Sequence, residues 1–384
     1  MLPPSGEELA ALRAALIDAR RGPLGRNPRV GAAVLDPAGA LLALGHHRGA
    51  GSHHAETAAL SAARSRITGG DLHGCTLVVT LEPCDHTGRT PACTRAVREA
   101  GISRVLVAAA DPTGPSGGGI ATLRAAGLTV LGPEDVARAD PELAAEAEQL
   151  VARWRRARQE RRPVVLAKVA MSLDGCVAAT DGSSRWITGP AARRDAHLLR
   201  SLSDAVLVGT GTVLADDPQL TVRDLPPEAA RLEPPERPDL QSTPRRYALG
   251  LREIPPEAAI RGDDGRFRAL RTRDVHEALQ LIAADGVRQL LLEAGPQVLA
   301  AFLAADLVDE LVVHQAPILL GPGRGAFSRL PITRLSQARQ LRPVGPPRAC
   351  GPDLRLAFTP VHPAPTPSEP LLPGSGATTA PCGG

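Results

Sequence analysis

The sequence predicts an α/β protein with two domains. Segments with the apolar pattern of strands alternate with segments of helical periodicity along most of the chain, which is typical of sheets covered by helices. At 384 residues the chain is longer than one ordinary domain. Hydrophobic residues make up 43% of it but aromatic residues only 2%, so the predicted cores are built from Leu, Val, Ile and Ala.

The first half of the chain begins with a predicted helix over residues 7–22, where apolar residues recur at helical spacing up to a glycine. Residues 29–48 predict two strands joined by an Asp-Pro-x-Gly turn. The elements predicted next are a helix over 53–66, a strand over 75–83, a helix over 90–101, a strand over 103–112, a helix ending at 125–127 and a strand over 128–132.

A charged helix predicted over residues 134–162 separates the two halves, and a new apolar strand begins after Pro163. We place the domain boundary inside or just after this helix, with a first domain of residues 1–148, a second of 149–360 and a tail of 361–384. The second domain has predicted strands over 164–175, 204–214, 287–295 and 307–321, and predicted helices over 191–202, 276–285 and 297–306. Residues 224–245 are rich in proline and charge, which predicts a surface loop, and the Pro/Gly/Ser/Thr-rich tail predicts disorder.

Charge and hydropathy exclude several classes of protein. The formal net charge of +3 is spread along the chain without a basic stripe, which argues against a dedicated nucleic-acid surface. No run reaches 18 apolar residues and the first 20 residues lack the layout of a signal peptide, so we expect a cytoplasmic protein. In such a chain the six cysteines are expected to be reduced, and clustered ones to bind metal.

Two short motifs predict a zinc site. His54-Ala-Glu56 and Pro83-Cys84 fit the signature of zinc deaminases, in which one His and two Cys bind the metal and the Glu does not. The second cysteine, Cys93, lies further along than that signature has it, but it opens the next predicted helix, so the loop can return it to the same metal. Three protein ligands leave the fourth position of zinc open, which indicates a catalytic site. Glu56 is then the predicted proton carrier for an activated water.

Two alternatives remain open at this point. His54, Cys84, Cys93 and His86 could together form a closed structural zinc site, or the cysteines could be unlinked core residues. A nucleic-acid or nucleoside deaminase whose second domain is not a reductase would share the same zinc chemistry, although it would need a basic, aromatic groove that this chain does not offer.

Over residues 6 to 359 the chain resembles the bifunctional deaminase–reductases of riboflavin biosynthesis. The motifs that carry the resemblance are NPRVG (27–31), HAE (54–56), TLEPCDHTGRTPAC (80–93), AADP (109–112), KVAMSLDG (168–175), WITG (186–189), RRDAHLLR (193–200), TVLADDPQLTVR (212–223) and LEAGP (292–296). The resemblance implies a cytidine-deaminase-like three-layer domain followed by an α/β domain like that of dihydrofolate reductase. The long cysteine loop is the family's own variant, which explains the unusual spacing before Cys93.

The resemblance also implies two consecutive reactions on a small molecule. Zinc-dependent hydrolysis removes an amino group from a diaminopyrimidinone ribosyl phosphate, and NADPH then reduces the ribosyl group to a ribityl chain. His54, Cys84 and Cys93 correspond to the zinc ligands and Glu56 to the proton carrier. Asn27 and His47 correspond to substrate contacts of the deaminase, although each could also be a polar turn or surface residue. A homo-oligomer without nucleic-acid or membrane partners is expected.

In the second domain the residues alone indicate less. Residues 209–212 (GTGT) follow a strand and residues 293–296 end one, so both could admit a phosphate or could be tight turns. By resemblance, the cofactor contacts are Ala170, Trp186, Thr212, Asp216 and the stretch from Gly295. The corresponding substrate contacts are Lys168, Ser184, Arg200, Leu220, Arg223 and Glu293. The two arginines suit a sugar phosphate but could be ordinary surface residues, and Lys168 and Asp174 could simply fix a turn.

Three segments depart from the family pattern. Residues 51–53 (GSH) replace a Gly-Glu pair before the first zinc motif, and residues 111–113 read DPT where the family has Asp-Pro-Asn. Residues 245–255 (RRYALGLREIP) stand where the family has a strand ending in Asp-Ser. This last departure bears on how the second domain binds NADPH and on the contact to its 2′-phosphate.

Overall fold

The computed structural model describes residues 2–22, 27–49, 52–86, 91–111, 118–225 and 243–361. These residues form two large sheets, one from each half of the chain, and helices cover both faces of each. The predicted α/β class is therefore confirmed. None of the described helices combines the length and the hydropathy that crossing a lipid bilayer requires.

The first half of the chain contains the alternating elements that its sequence predicts. In chain order they are α1 (Gly6–Ala19), β1 (Gly31–Leu35), β2 (Leu41–His46), α2 (Ala55–Arg64), a 3₁₀ turn (Thr68–Gly70), β3 (Thr76–Val79), α3 (Cys93–Glu99), β4 (Arg104–Val107), α4 (Gly119–Ala125), β5 (Thr129–Leu131), α5 (Pro133–Ala139) and α6 (Pro141–Gln159). The first helix begins with a capping box, in which Ser5 and Glu8 bond each other's backbone N–H.

The first sheet has the order β2-β1-β3-β4-β5, with β1 antiparallel to both neighbours and β3, β4 and β5 parallel. Helices α2, α3 and α4 pack on one face through side chains such as Ala59, Val97 and Leu123. Helices α1, α5 and α6 pack on the other through Leu12, Val136 and others. This is a three-layer α/β/α domain, and the segments after β3 and β2 emerge at the same edge of the sheet, where the first candidate site lies.

The single charged helix predicted over residues 134–162 is wrong in one respect. The structure has two helices there, because Pro141 cannot donate the backbone hydrogen bond that would continue α5. Asp140 ends α5 and caps α6 by accepting a hydrogen bond from the backbone of Leu143 at 3.0 Å. Further along α6, Trp154 packs against Leu81 of the first domain. The domain division at 148/149 falls inside α6 and stays a prediction.

The second half of the chain contains more strands than its sequence predicts. In chain order its elements are β6 (Val164–Ser172), β7 (Cys176–Ala178), α7 (Pro190–Ser201), β8 (Ala205–Gly209), α8 (Thr210–Asp216), β9 (Arg245–Leu249), β10 (Phe267–Leu270), α9 (Val275–Ala284), β11 (Gln289–Leu292), α10 (Pro296–Ala304), β12 (Glu310–Ala316), β13 (Arg324–Gly325), a 3₁₀ turn (Leu335–Gln337), β14 (Leu341–Pro343), β15 (Arg348–Cys350) and β16 (Asp353–Pro360). The short strands β7 and β13 pair with each other apart from the main sheet.

The main sheet of this half has the order β10-β9-β8-β11-β6-β12-β16-β14, and β15 also pairs with β16. The strands from β10 to β12 are parallel, so their carboxyl ends share one edge, whereas β16 runs antiparallel to β12. Helices α9 and α10 cover one face, and α7 and α8 pack on the other. Ligands of such sheets bind at the carboxyl edge.

One sequence prediction in this half needs correction. The strand predicted over 204–214 ends at Gly209, and Thr210 starts α8, because the chain turns at the carboxyl edge instead of continuing in the sheet. Residues 245–249, in the segment that departs from the family, do form a strand, with Leu249 in register with Gly209. The predicted loop over 224–245 and the predicted disordered tail lie mostly outside the described residues.

Candidate active sites

Three side chains of the first domain converge from different elements. His54 is the residue before α2, Cys84 lies in the loop after β3, and Cys93 is the first residue of α3. Their ligand atoms all lie within 4.8 Å of one another, and Nδ1 of His54 is 3.2 Å from Sγ of Cys93. One imidazole and two sulfurs are donors that zinc prefers. His86, the fourth ligand in the structural-site alternative, is not in this group.

The protonation states of these three residues favour the binding of a cation. The hydrogen bond from Cys93, with help from His54, lowers the pKa of Cys84 to about 4, so this sulfur is a thiolate. That hydrogen bond and burial raise the pKa of Cys93. The contact with Cys84 raises the pKa of His54. A half-buried anionic sulfur beside a second thiol and an imidazole favours a bound divalent cation, which would let both sulfurs ionise. The residues therefore fit zinc.

Glu56 lies in the first turn of α2, beside the three ligand residues but outside their group. Its side chain is buried, with 3% of its surface exposed, and its carboxyl group contacts Cys93. Burial raises the pKa of Glu56, although His54 opposes this. A carboxyl group whose pKa is raised toward neutrality can both accept and donate a proton.

Asn27 and His47 meet next to this group. Nδ1 of His47 lies 3.1 Å from the backbone oxygen of His53, and its Nε2 lies 2.9 Å from the side-chain nitrogen of Asn27. Burial lowers the pKa of His47 to about 4, so the ring is neutral. A carbonyl oxygen only accepts, so Nδ1 carries the proton and Nε2 accepts from Asn27. The rings of His47 and His54 are 5.5 Å apart between centroids, which brings both predicted contacts to the metal group.

Two acidic residues that sequence reasoning missed hold the Cys84 loop. Glu82 accepts hydrogen bonds from the backbone N–H groups of Asp111, Gly118 and Ile120 at 3.0 to 3.1 Å. Asp85 accepts from the hydroxyl groups of two threonines, at 2.7 and 2.6 Å. Both flank Pro83-Cys84, and this position beside a predicted ligand is the signal that could have found them.

A second cluster of charged side chains lies at the carboxyl edge of the larger sheet. Arg200, in the last turn of α7, donates two hydrogen bonds to the carboxylate of Glu293, at 2.5 and 3.0 Å. Nζ of Lys168, on β6, lies 3.7 Å from the same carboxylate. Burial opposes the charge of Glu293, but Arg200 and Lys168 outweigh it and hold the pKa of the carboxyl group at about 2. The structure thus joins three of the predicted substrate contacts.

The other predicted substrate contacts differ in exposure. Arg223 is exposed and donates a hydrogen bond to Gln219 at 2.6 Å. Leu220 has a φ of 54° and a buried side chain in the core, so its backbone is the part that can face a ligand. Ser184 is half-buried, two residues before Trp186. Asp174, by contrast, accepts hydrogen bonds from Ser172 and from the backbone after β12, so its role is to fix the turn.

Three of the predicted cofactor contacts, Ala170, Thr212 and Gly295, lie at the same sheet edge. Ala170 is half-buried on β6, two residues after Lys168. Trp186 is 69% exposed, and the guanidinium of Arg193 lies 4.6 Å from the centroid of its ring. Arg185 donates a hydrogen bond to the backbone oxygen of Asp216. Thr212 lies beside Gly295, whose missing side chain leaves bare backbone at the start of α10. Bare backbone at a helix start and an exposed ring fit a dinucleotide.

Buried contacts that the sequence did not indicate anchor α7 over this edge. His314 on β12 is fully buried and its Nε2 lies 2.7 Å from the carboxylate of Asp195 on α7. Arg355 on β16 donates to the same carboxylate at 2.9 Å. Asp195 and Arg200 lie on the same helix, so these contacts position the helix that supplies a predicted substrate contact.

Comparison with known proteins assigns both halves of the chain. A model of the cytidine and deoxycytidylate deaminase zinc-binding region matches residues 6–109, and a model of the RibD C-terminal domain matches residues 163–346. The riboflavin biosynthesis protein RibD of Mycobacterium tuberculosis is 39% identical over 336 residues, which are 86% of this chain and 90% of that protein. The chain belongs to the RibD family. The Escherichia coli RibD is 34% identical, over 83% of this chain and 91% of its own.

Solved structures of RibD proteins are similar to this chain over nearly its whole length. Acinetobacter baumannii RibD has a TM-score of 0.68 and 31% identity, covering 93% of this chain and 99% of its own. A Thermotoga maritima protein, described as a diaminohydroxyphosphoribosylaminopyrimidine deaminase and 5-amino-6-(5-phosphoribosylamino)uracil reductase, has a TM-score of 0.63 and 29% identity. It covers 92% of this chain and 99% of its own.

Membership of the RibD family establishes the general activity. The protein is a bifunctional deaminase and reductase of riboflavin biosynthesis, with a cytidine-deaminase-like zinc-binding domain followed by a RibD reductase domain. This confirms the predicted family, fold class and enzyme class. The alternative of a zinc deaminase whose second domain is not a reductase is therefore wrong.

Proposed function

We propose that His54, Cys84 and Cys93 hold the zinc ion of the deaminase and that Glu56 carries the protons of the reaction. When bound, zinc supplies a Lewis acid that lowers the pKa of a water molecule toward about 7. Glu56, buried beside Cys93, accepts a proton from the attacking water. It donates that proton to the ring nitrogen. It then takes the proton of the newly formed hydroxyl group and donates it to the amino group, which leaves as ammonia while the carbonyl group forms. The burial that raises the pKa of Glu56 suits it to both steps.

The substrate that we propose is 2,5-diamino-6-(5-phosphoribosylamino)pyrimidin-4-one. The Thermotoga relative supports it, because that protein is described as a deaminase of this class of pyrimidine. Asn27 donates one hydrogen bond to His47, which leaves a second N–H and a carbonyl oxygen to face the edge of a ring. An amide with one donor and one acceptor matches the amino and carbonyl groups of an aminopyrimidinone.

The convergence of His54, Cys84 and Cys93 beside a buried carboxyl group carries this proposal, and Glu56→Gln tests it. The variant is isosteric but cannot take up a proton, so we expect full zinc content with ammonia release reduced about 100- to 10,000-fold. Reduction of the deaminated intermediate should stay at the wild-type rate, which shows that the variant is folded. Normal ammonia release by a zinc-loaded Glu56→Gln protein would exclude the assigned role.

For the second reaction we propose that Lys168, Ser184, Arg200, Leu220, Arg223 and Glu293 contact the sugar phosphate. When bound, NADPH supplies the hydride that converts the ribosyl group to ribityl. Glu293 stays ionised at neutral pH, so it can accept hydrogen bonds from sugar hydroxyls. Nε and Nη2 of Arg200 donate to Glu293, and its Nη1 donates to the backbone oxygen of Thr221 at 3.3 Å, which leaves the exposed Arg223 as the better phosphate ligand.

The cofactor contacts that we propose are Ala170 on β6, Trp186 before α7, Thr212 and Asp216 on α8, and Gly295 before α10. Their role is to bind and orient the dinucleotide, since hydride transfer needs no protein nucleophile. NADPH oxidation followed at 340 nm with the deaminated intermediate tests this half of the proposal. We expect oxidation with that intermediate and none with the diamino substrate when Glu56→Gln replaces the wild type. Oxidation with neither compound would refute the reductase assignment.

We further propose that the enzyme is a cytoplasmic homo-oligomer whose substrate is the small pyrimidine ribosyl phosphate. All five described cysteines are free, which supports a reducing compartment. Sedimentation equilibrium of the purified protein tests the assembly. A molar mass near the 40.0 kDa of one chain would contradict it.

A further inference from the structure

A carboxylate at the start of β12 lies between two arginines where the two domains meet. Glu310 is the first residue of β12, and only 3% of its surface is exposed. Its Oε1 lies 3.7 Å from Nη1 of Arg29 and also forms an ion pair with Arg153 on α6. Arg29 belongs to the NPRVG segment of the first domain, whereas Glu310 belongs to the sheet of the second. Buried charges therefore join the two domains.

Arg29 remains a cation although it is buried. Burial, together with repulsion from Arg355 and Arg20, lowers its pKa to about 9, which is still above neutral pH. A buried guanidinium is stable only when anions or hydrogen-bond acceptors compensate its charge. Glu310 supplies the anion, and the backbone oxygen of Gly22 accepts a hydrogen bond from Nε of Arg29 at 2.9 Å. Loss of the carboxylate would remove this counter-charge.

The backbone around Arg29 carries the proposed substrate contacts of the deaminase. Asn27 lies two residues before Arg29. Val30 directly follows Arg29, and its backbone oxygen accepts a hydrogen bond from the N–H of His47 at 3.0 Å. Gly22 lies against His47 as well, because a Cβ on Gly22 would be 2.6 Å from the backbone oxygen of that histidine. One guanidinium thus holds both chain segments that border the Asn27–His47 pair.

The NPRVG segment also packs against the helix that joins the domains. Val30 lies in an apolar cluster with Val151 and Trp154 of α6. Arg153, between those two residues in the sequence, is the second arginine on Glu310. The segment is therefore fixed from outside the first sheet, by charge at one residue and by apolar packing at the next.

We propose that Glu310 is a positioning residue for the deaminase, although it lies in the reductase domain. By holding Arg29 it fixes the backbone that presents Asn27 to the pyrimidine. The inference rests on the proposed role of Asn27 and gives the second domain a part in the first reaction. The deaminase thus depends on its fusion partner for the shape of its substrate pocket.

The place of Glu310 in the second sheet makes this inference specific. Glu310 is in register with Leu166 on β6, whereas Lys168 and Ala170 follow two and four residues later. They lie about 7 and 13 Å further along the strand, toward the carboxyl edge. A general disturbance of the second domain should weaken the reductase. Loss of the contact with Arg29 should instead weaken the deaminase, whose residues belong to the other domain.

Steady-state kinetics of ammonia release by the full-length, zinc-loaded protein test the proposal. Glu310→Gln keeps the shape of the side chain and removes its charge. We expect KM for the diamino substrate to rise about 3- to 10-fold, while kcat changes less than about twofold. Zinc content and NADPH oxidation with the deaminated intermediate should match the wild type. The matched control is Asp309→Asn, which changes the neighbouring carboxylate. Asp309 binds Arg162 at 2.6 and 2.9 Å instead of Arg29, so this control should leave KM unchanged.

Arg29→Lys tests the same contact from the first domain. A lysine keeps the charge but has no fork with which to reach Gly22 and Glu310 together. We expect the same rise in KM, and the double variant Arg29→Lys/Glu310→Gln should be no worse than Glu310→Gln, because both changes break one contact. Arg29→Lys leaves Glu310 paired with Arg153, so it decides the question even where Glu310→Gln fails to fold.

The outcomes separate this inference from the proposed function. An unchanged KM in either single variant would overturn the inference, and so would additive effects in the double variant. Equal losses of ammonia release and NADPH oxidation in Glu310→Gln would also overturn it, since the carboxylate would then only stabilise the fold. If instead the proposed substrate contact itself is wrong, Asn27→Ala will keep the wild-type KM.

Discussion

The side-chain amide of Asn27 lies 2.9 Å from Nε2 of His47, and His47 in turn bonds the backbone oxygen of His53. The ring is thus held in one tautomer, next to the residue that precedes α2 and the metal group. The NPRVG motif and the segment before the HAE motif meet through this contact. Asn27 is therefore positioned by its partner before any substrate arrives.

Asn27→Ala should weaken the deaminase without affecting its metal. The change removes the donor to a buried histidine and a proposed contact to the pyrimidine, each worth about 1 to 3 kcal/mol. We expect kcat/KM for ammonia release to fall about 10-fold or more, with zinc content equal to that of the wild type. NADPH oxidation with the deaminated intermediate provides the internal control. A variant that loses zinc in parallel with activity would show that Asn27 acts on the metal site instead.

Removal of the metal should abolish the deaminase activity and leave the reductase activity unchanged. The metal group lies wholly within the first domain, whereas Lys168, Arg200 and Glu293 lie at the edge of the second sheet. After treatment with a zinc chelator we expect no ammonia release, restoration by added Zn²⁺, and an unchanged rate of NADPH oxidation with the deaminated intermediate. Loss of both activities would show that the second domain depends on the metal site.

Features fixed by local pattern could be predicted from the sequence. Apolar periodicity located most helices and buried strands, and His54, Cys84 and Cys93 could be assigned to one metal because each stands next to a predicted element end. The break between α5 and α6 was also local, since Asp140-Pro141 is visible in the sequence. Because helical periodicity continues on both sides of this pair, the sequence predicted one helix instead of two.

Features that depend on distant partners could not be predicted. His314 and Asp195 are 119 residues apart, and nothing near either one indicates the other. Glu82 is recognisable only when three backbone N–H groups from residues 111–120 are brought to it. Apart from the buried Asp353, strands β14, β15 and β16 are exposed or half-buried, so they lack the strong apolar pattern by which β8 or β11 is recognised.

Glu82→Gln should loosen the metal site without removing a ligand. A neutral amide has one acceptor oxygen in place of two, so it cannot satisfy the three backbone N–H groups that the carboxylate of Glu82 holds. We expect zinc transfer to a competing chelator to show about 10- to 100-fold lower affinity, the range seen for residues that orient metal ligands. Glu99→Gln, an exposed change in α3, is the matched control. Equal zinc affinity in both variants would contradict a role of Glu82 in holding the Cys84 loop.

Glu293→Gln should lower stability in a way that depends on pH. The pKa of this carboxyl group falls from an ordinary 4.5 to about 2 in the folded protein, because Arg200 and Lys168 outweigh burial. A depressed pKa stabilises the fold fully above 4.5, and this stabilisation is lost as the pH falls toward 2. The shift corresponds to about 3 kcal/mol at pH 7, on the order of what breaking a buried ion pair costs.

Urea denaturation of wild-type and Glu293→Gln proteins at several pH values checks this expectation. The variant should unfold at lower urea concentration at pH 7, and the two midpoints should converge as the pH is lowered from about 4.5. Glu257→Gln, which changes an exposed carboxylate of the same domain, should follow the wild type throughout. A difference between Glu293→Gln and wild type that stays constant from pH 7 to pH 3 would mean that packing, and not the charge held by Arg200 and Lys168, is what the carboxylate contributes.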